Sequence, residues 1–472
     1  MEGSSGTALG GTRTMRLEQI YLRLPVPLQN FGCSLEGLRI QQKRYGSGFR
    51  RRLEQAEARG QLSQEQAKSV RDKRIRDFVA HCGSEVPYYR KQFHELQISP
   101  NDIRGLDDLR CLPVLTKSEV QDHIAEFVSE KAAQYDCDYV HTSGTTGGGL
   151  RFLATHEAIE EQWAIWWRYR RWHGIELGTW CSYFGGRSLV PIQQNRPPFW
   201  RTNYFGRQLF FSAYHLTPTN LRLYAEKLRS ARIPWLHGYP SLLALLAGYV
   251  LDSEFDLGYQ PKWITVGAEN LLPQQASVIQ KAFGVRPVQH YGMAEAVANI
   301  SECESGSLHV DEDFAAVEFI EDQMGRRRVI GTNFSNLATP LLRYDAQDVV
   351  WTTDRTCECG RPGRIVDSID GRLEDYIVLK NGARLGRLDH IFKDMIHVRE
   401  AQIVQRASGI LDVLIVRGQK YGDADAQLLS REFAQRVGKD TEFKIEYVDE
   451  LRRTSAGKLR FVASESRRIG WK

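Results

Sequence analysis

The sequence predicts an α/β protein in two parts, a large N-terminal part with mixed sheets and flanking helices and a small α+β C-terminal part. Three observations carry this. Strand-like runs alternate with helical stretches over most of the chain, the apolar pattern restarts with short strands after residue 370, and the composition suits a folded core. The chain has 472 residues, 42% hydrophobic and 26% charged, with a formal charge of +5. That length buries a large core without disulfides, and that balance argues against disorder or a coiled coil.

The elements follow in order. Residues 1–14 are small and polar, lack the apolar run of a signal peptide, and are expected to be flexible. Residues 50–95 read as helical, with stops at Gly83 and at the Val86-Pro87 step. Strands are expected at 179–186, 261–269, 285–292 and 314–320, with helices at 219–231, 241–252 and 273–283 between them. The boundary is expected at 370–375, giving domains 15–370 and 371–472, the second with one helix near 424–437.

Charge and cysteine content exclude several classes. Eleven Lys/Arg face four Asp/Glu between Lys43 and Arg76, a basic stretch read as solvated helix because no aromatic rings interleave for base stacking. No nucleic-acid partner is therefore expected. No run of 18 uncharged apolar residues exists, so no membrane span is expected. Eight cysteines in this length do not make a disulfide framework, and a reducing cytoplasm is the expected location. Cys33, Cys82, Cys111, Cys137 and Cys181 are expected in the core.

Residues 142–149 read Thr-Ser-Gly-Thr-Thr-Gly-Gly-Gly between two extended runs. Such a turn offers backbone N–H groups and hydroxyls to phosphates. It is not a Walker A loop, since Leu150-Arg151 stand where Lys-Ser/Thr is required. Further on come YGMAE at 291–295, RYDAQD at 343–348, GRLED at 371–375 and SAGK at 455–458. In this order and at these wide spacings the set resembles the signature of adenylate-forming (acyl/aryl-CoA synthetase-like) enzymes. VPYYRKQF (86–93), LPVLTKSEV (112–120) and SECESGSLHVDED (301–313) resemble the phenylacetate–CoA ligase subfamily, its capsule-polysaccharide-associated branch in particular. The resemblance covers residues 50–465.

It implies an ATP-dependent ligase that activates a carboxylic acid, an aromatic one included, as acyl-AMP and transfers it to coenzyme A. Ser143, Gly144, Thr145, Thr146 and Gly147 would hold phosphates, and Gly267, Ala268 and Glu269 would lie beside adenine. Tyr291, Gly292 and Met293 would cover it, and Asp348 would accept hydrogen bonds from the ribose hydroxyls. Glu295 would hold Mg²⁺, Arg372 would lie near ribose and phosphate, and Lys458 would bridge the substrate carboxylate and the α-phosphate. Rotation about Glu374 would withdraw Lys458 for the second half-reaction. Two departures stand out, Gly148 in place of a common Lys and Ala294 in place of a phosphate-contacting Thr. They motivate two alternatives: transfer to an amine, giving an amide, and a non-catalytic nucleotide-binding homologue. The partners expected are a small carboxylic acid and a thiol or amine acceptor; the oligomeric state is left open, a homodimer included.

Cys303, His309, Cys357 and Cys359 provide four ligands of the kinds that suit tetrahedral Zn²⁺, at spacings unlike the familiar C-x2-C. The subfamily resemblance includes a similar site, and a structural role is expected. The acyl pocket is expected around Arg187, His215, Tyr239 and Ser241, with Arg187 or His215 available to pair a carboxylate or polar tail of the substrate.

Overall fold

The structure, a computed structural model, describes residues 20–464 except 143–149, 188, 218, 322–326, 371–375, 386–387, 393–394, 396–397, 418–420, 450 and 452–460. The flexible terminus expected at 1–14 therefore lies outside the described residues.

Helices α1 (Val26–Arg44), α2 (Phe49–Arg59), α3 (Gln64–Glu85), α4 (Pro87–Leu96) and α5 (Lys117–Asp122) come first. The helical reading of 50–95 thus resolves into three helices. Ser63 starts α3 with a capping box, its side chain accepting from the Gln66 amide at 3.2 Å while the Gln66 side chain accepts from the Ser63 amide at 3.0 Å. Val86 is extended because Pro87 follows it, so the chain turns there.

The solvated-face reading of the basic stretch holds for Arg50, Arg51, Lys68, Lys73 and Arg76, which are exposed, and is corrected for four others. Arg52 pairs with Glu160 at 3.2 Å, Arg59 with Asp313 at 2.7 Å, Arg71 with Glu312 at 2.8 Å and Arg74 with Glu161 at 2.7 Å. These cations dock α2 and α3 onto the core instead of facing solvent. The carboxylates that receive them lie about 100 to 250 residues away, beyond any local charge count.

Strands β1 (Cys137–His141) and β2 (Arg151–Thr155) form an antiparallel hairpin. Helix α6 (His156–Trp172) follows. The next strands are β3 (Cys181–Gly185), β4 (Trp200–Asn203), β5 (Gln208–Ser212), β6 (Trp235–Gly238), β7 (Trp263–Gly267), β8 (Val288–Gly292), β9 (Asn299–Glu302) and β10 (Leu308–Val310). After them come β11 (Ala315–Glu321), β12 (Arg327–Asn333), β13 (Tyr344–Thr352) and β14 (Ile365–Asp370). Among the described residues these twelve make one sheet, ordered β11-β12-β13-β14-β10-β9-β8-β7-β6-β3-β5-β4. β5, β3, β6, β7 and β8 run parallel, and the remaining pairings are antiparallel. Helices α7 (Leu221–Ala231), α8 (Pro240–Asp252) and α9 (Pro273–Phe283) make the crossovers.

Alternation along the strands divides the core. Phe184, Leu236, Ile264 and Val266 pack with α7, α8 and α9 on one face, while Cys181 and Trp235 pack with α6 and α2 on the other. Under α6, the guanidinium of Arg168 donates to Asp313 at 2.8 and 2.9 Å and to Asp311 at 2.6 Å, all three groups buried. Burial pushes the Asp313 carboxyl up, yet Arg168 and Arg59 outweigh it and hold its pKa well below the usual range. Arg168→Met should cost about 3–5 kcal/mol in urea unfolding, because two buried carboxylates lose their shared cation.

Past residue 375 come β15 (Ile377–Val378), β16 (Arg384–Leu385), β17 (Val398–Ala407), β18 (Ile410–Arg417), helix α10 (Asp423–Val437), β19 (Glu442–Tyr447) and β20 (Val462–Ser464). β17 to β20 form their own sheet, ordered β19-β18-β17-β20. It packs on Leu429, Phe433 and Val437 of α10, and Tyr214 from the larger part is buried in the same cluster. Cys33, Cys82 and Cys181 are buried as expected, whereas Cys111 is exposed on a short turn and Cys137, on the outlying hairpin, is half-buried. No disulfide forms; all eight cysteines are free.

Candidate functional site

The five parallel strands end on a common edge, and the expected site residues between 187 and 295 follow those ends. Arg187 comes just after β3, His215 after β5, Tyr239 and Ser241 after β6, Ala268 and Glu269 after β7, and Met293 and Glu295 after β8. Ligands of open α/β sheets bind at this edge, where strand carboxyl ends and helix N-termini converge. Three glycines permit the strand ends to close up. A Cβ on Gly238 would lie 2.2 Å from the Phe184 carbonyl oxygen, one on Gly292 2.9 Å from Asn299 Oδ1, and one on Gly267 3.2 Å from the His290 carbonyl. Ala268 holds a left-handed φ of 66°, a conformation that costs an alanine about 1 kcal/mol or more.

The turn that carries YGMAE is gripped from two sides. Gln162 of α6 donates to the Met293 carbonyl at 2.7 Å, and Asn333 of β12 donates to the Glu295 carbonyl at 3.1 Å. The half-buried Glu295 side chain is thereby aimed by its backbone. Ala294 is exposed on the same turn.

Tyr291 and Asp348 sit on β8 and β13, four strand steps apart in the sheet order. On a flat sheet they would be about 19 Å apart, yet the Tyr291 hydroxyl donates to Asp348 Oδ2 at 2.8 Å. The antiparallel half therefore curls back over the end of the parallel half. Gln347, with φ of 59°, and a register shift between β12 and β13 mark the bend.

Glu269 and Ser241, expected to serve adenine and the acid respectively, touch each other: the Ser241 amide donates to Glu269 Oε2 at 3.1 Å. The carboxylate thus meets the positive end of α8. Tyr239, the residue before α8, is buried with its amide donating to the Phe184 carbonyl at 2.9 Å. His215 is buried, stacked on Phe199 at 4.7 Å between ring centres, with Nδ1 2.8 Å from the Ser212 hydroxyl. Burial pushes its pKa down, and of the two candidates for pairing a carboxylate Arg187 is the exposed one.

Ser143, Gly144, Thr145, Thr146 and Gly147, together with Arg372, Glu374 and Lys458, lie outside the described residues. The flanks of the first group are described. Thr142 and Leu150 clasp them, the Thr142 amide donating to the Leu150 carbonyl at 2.8 Å and the Leu150 amide to the Thr142 hydroxyl at 3.1 Å.

A second constellation lies at the β9–β10 and β13–β14 turns. The ligand atoms of Cys303, His309, Cys357 and Cys359 all lie within 4.8 Å of one another. The Cys303 and Cys357 sulfurs are 3.7 Å apart, and the Cys359 sulfur is 3.4 Å from His309 Nε2. Two thiolates on one tetrahedral zinc at about 2.3 Å each would be roughly 3.8 Å apart, and a thiolate and an imidazole about 3.6 Å. The donor set fits. His309 Nδ1 faces the Pro362 carbonyl at 3.3 Å, a contact that leaves Nε2 for the metal.

Sequence reasoning missed the groups that hold this edge in shape. Gln162, Asn299 and Asn333 are the main ones; Asn299 Oδ1 accepts from Trp166 Nε1 at 2.9 Å and lies 2.8 Å from His290 Nε2. Single amides between apolar runs give no local signal, although the Trp-Trp-Arg-Tyr-Arg run at 166–170 marks α6 as an unusual core helix.

These features define an adenylate-forming ligase fold. The structure resembles that of 2-hydroxyisobutyryl-CoA ligase in the postadenylation state in complex with R3-HIB-AMP, with a TM-score of 0.53 at 17% identity, covering 87% of this chain and 92% of that one. The chain is homologous to CapK and to the phenylacetate–coenzyme A ligases. It is 25% identical to Protein CapK of Staphylococcus aureus over 94% of this chain and 99% of that protein. It is 24% identical to the phenylacetate–coenzyme A ligase of Thermus thermophilus over 68% of this chain and 73% of that enzyme. Residues 378–465 match the family described as CapK C-terminal domain. Among the described residues no helix is long and apolar enough to cross a membrane.

Proposed function

We propose that this chain is an ATP-dependent, AMP-forming ligase that activates a carboxylic acid as acyl-adenylate and passes the acyl group to coenzyme A. The observation that carries the reading is the Tyr291–Asp348 contact at the carboxyl edge of the parallel strands. It brings a flat ring and a ribose-type carboxylate together from opposite halves of a curled sheet, as a nucleotide site requires. Phosphates would lie against Ser143–Gly147, adenine against Gly267–Glu269 and Tyr291–Met293, and the acid against Arg187, Tyr239 and Ser241. Glu295 would hold Mg²⁺, whose charge would offset that of the phosphate oxygens. Lys458 and Arg372 would supply cations to the crowded centre where carboxylate meets α-phosphate.

In the first half-reaction a carboxylate oxygen bonds to the α-phosphorus and pyrophosphate leaves. In the second, the thiol attacks the acyl carbon and AMP leaves. Residues 371–472 act as a mobile domain turning about Glu374, so that Lys458 serves the first step only. The zinc ligands lie on turns away from this edge, and the ion they would hold ties those turns together.

Hydroxylamine trapping over a panel of carboxylic acids tests adenylation whatever the acceptor. Added coenzyme A should accelerate AMP release with the preferred acid. A response to amines but not to coenzyme A would assign amide formation instead, and no trapped product with any acid would leave the non-catalytic homologue. Tyr291→Phe should raise KM for ATP about 2- to 10-fold through loss of the hydrogen bond to Asp348, with the acid's KM little changed.

A further inference from the structure

Arg44, Arg170 and Arg187 gather on the α6 side of the parallel strands, just below their carboxyl ends. Helix α6 presents Trp163, Trp166, Trp167 and Arg170 at spacings of three and four, one stripe against the sheet. The Arg44 and Arg170 guanidiniums both lie over the Trp163 ring, at 4.0 and 5.7 Å, and Arg170 also faces Trp167 at 4.9 Å and Trp235 at 5.4 Å. Arg187 lies over Phe210 at 5.4 Å. Burial lowers the Arg44 pKa to about 10, with repulsion from Arg187 and Arg170 adding to it.

Among the described residues no carboxylate is within ion-pair distance of any of the three. Glu36 feels the charge of Arg187, but Arg39 holds it at 2.6 and 2.8 Å. Arg170 is 9% exposed, and its Nε is a buried donor without a partner. An unpaired buried cation is costly. The indoles offset part of that cost through the flat faces of the guanidiniums, but the N–H donors lie in the guanidinium plane and remain for an anion. Elsewhere in this protein buried arginines have their donors met, Arg168 by Asp311 and Asp313 and Arg201 by Gln29, Gln194 and the Pro198 and Trp200 carbonyls.

Resting on the ligase reading above, we infer that Arg44, Arg170 and Arg187 form an anion subsite that takes a second acidic group on the carboxylic-acid substrate. That group is a carboxylate, phosphate or sulfonate remote from the carboxyl being activated. The subsite lies by β3 and β6, beside Arg187 and Tyr239, whereas the adenine and ribose contacts lie by β7, β8 and β13. The substrate class is therefore a dianionic acid, its second acidic group remote from the carboxyl that is activated.

The test uses the full chain and acids in matched pairs, such as benzoate with terephthalate and butyrate with glutarate. Trapping should show the dianion favoured about tenfold or more in kcat/KM. Arg44→Gln and Arg187→Gln, both at partly exposed sites, should each lower the dianion-to-monoanion ratio about tenfold. Arg170→Gln should do the same, and Arg170→Lys should restore part of the ratio. A purely structural role would lower both acids alike and leave the ratio unmoved. Tryptophan fluorescence titrated with terephthalate without ATP reads the subsite apart from catalysis. Saturable quenching that Arg44→Gln abolishes supports the subsite even if no acid is adenylated, in which case only the ligase reading falls. Adenylation of monoacids with no dianion preference overturns the subsite and leaves the ligase reading intact. Variants that change the coenzyme A to dephospho-coenzyme A ratio, and not the acid ratio, would overturn it by assigning the anion to the thiol substrate.

Discussion

Lys458→Ala should slow acyl-adenylate formation about 10²- to 10³-fold, the loss expected when one positioned donor to transition-state charge is removed. Adenylation brings a carboxylate against a triphosphate, and a compact ammonium on a flexible stem can sit between the two. Lys458 lies in Ser-Ala-Gly-Lys, fourteen residues before Lys472. The loop that would hold the leaving pyrophosphate has Gly148 in place of a lysine, so fewer cations share the load and the dependence on Lys458 should be steep. Thioester formation from acyl-adenylate supplied ready-made should stay near the wild-type rate if the proposed rotation about Glu374 withdraws the lysine. Pyrophosphate release and coenzyme A consumption, measured separately, check this. Equal loss in both half-reactions would refute the one-step role, and an unchanged adenylation rate would refute the mechanism.

Removal of zinc should lower the melting temperature on the order of 5 °C or more, and the protein as purified should carry one zinc per chain. The four donors come from the β9–β10 turn, strand β10 and the β13–β14 turn, segments otherwise tied by the Arg361–Glu304 ion pair at 2.7 Å and by the sheet. The Cys303 and Cys357 sulfurs lie 3.7 Å apart, a spacing that one tetrahedral ion would hold and that two unscreened thiolates would oppose. Cys357→Ser should abolish zinc binding and reproduce the shift, and restored zinc should rescue the chelated wild type but not the variant. The ligand atoms lie away from the nucleotide edge, so kcat at a temperature where the apo-protein is folded should change little. A large kcat loss there would assign the ion a catalytic role.

Much of the fold was legible because its signals are local. Proline, glycine and capping residues bound the helices of the parallel half, and α9 has the limits that the sequence predicts, 273–283. Helix α8 starts at Pro240, one residue before the predicted start, because proline suits the first turn of a helix. The four Cys/His side chains were legible as candidate ligands by residue type alone, and folding brought Cys303 and Cys357, 54 residues apart, to 3.7 Å. The basic stretch misled at four of its cations because local charge density says nothing about distant partners: Arg59 reaches Asp313 and Arg74 reaches Glu161 on α6. Cys111 misled for a similar reason, since a thiol is apolar enough for a core but its turn has no layer above it.

The sequence by itself determined the class of fold, the order of the nucleotide motifs and the chemistry each could offer, since these depend on residue type and neighbours along the chain. Only the tertiary structure decided which of those groups meet. It curled the sheet so that Tyr291 reaches Asp348, turned Glu269 onto the start of α8, buried His215 against Phe199, and left Arg44 and Arg170 on tryptophan and Arg187 on Phe210 with no carboxylate paired to them among the described residues. The reason is physical: sheet curvature and side-chain burial are settled by packing among residues remote in sequence, which no local pattern encodes.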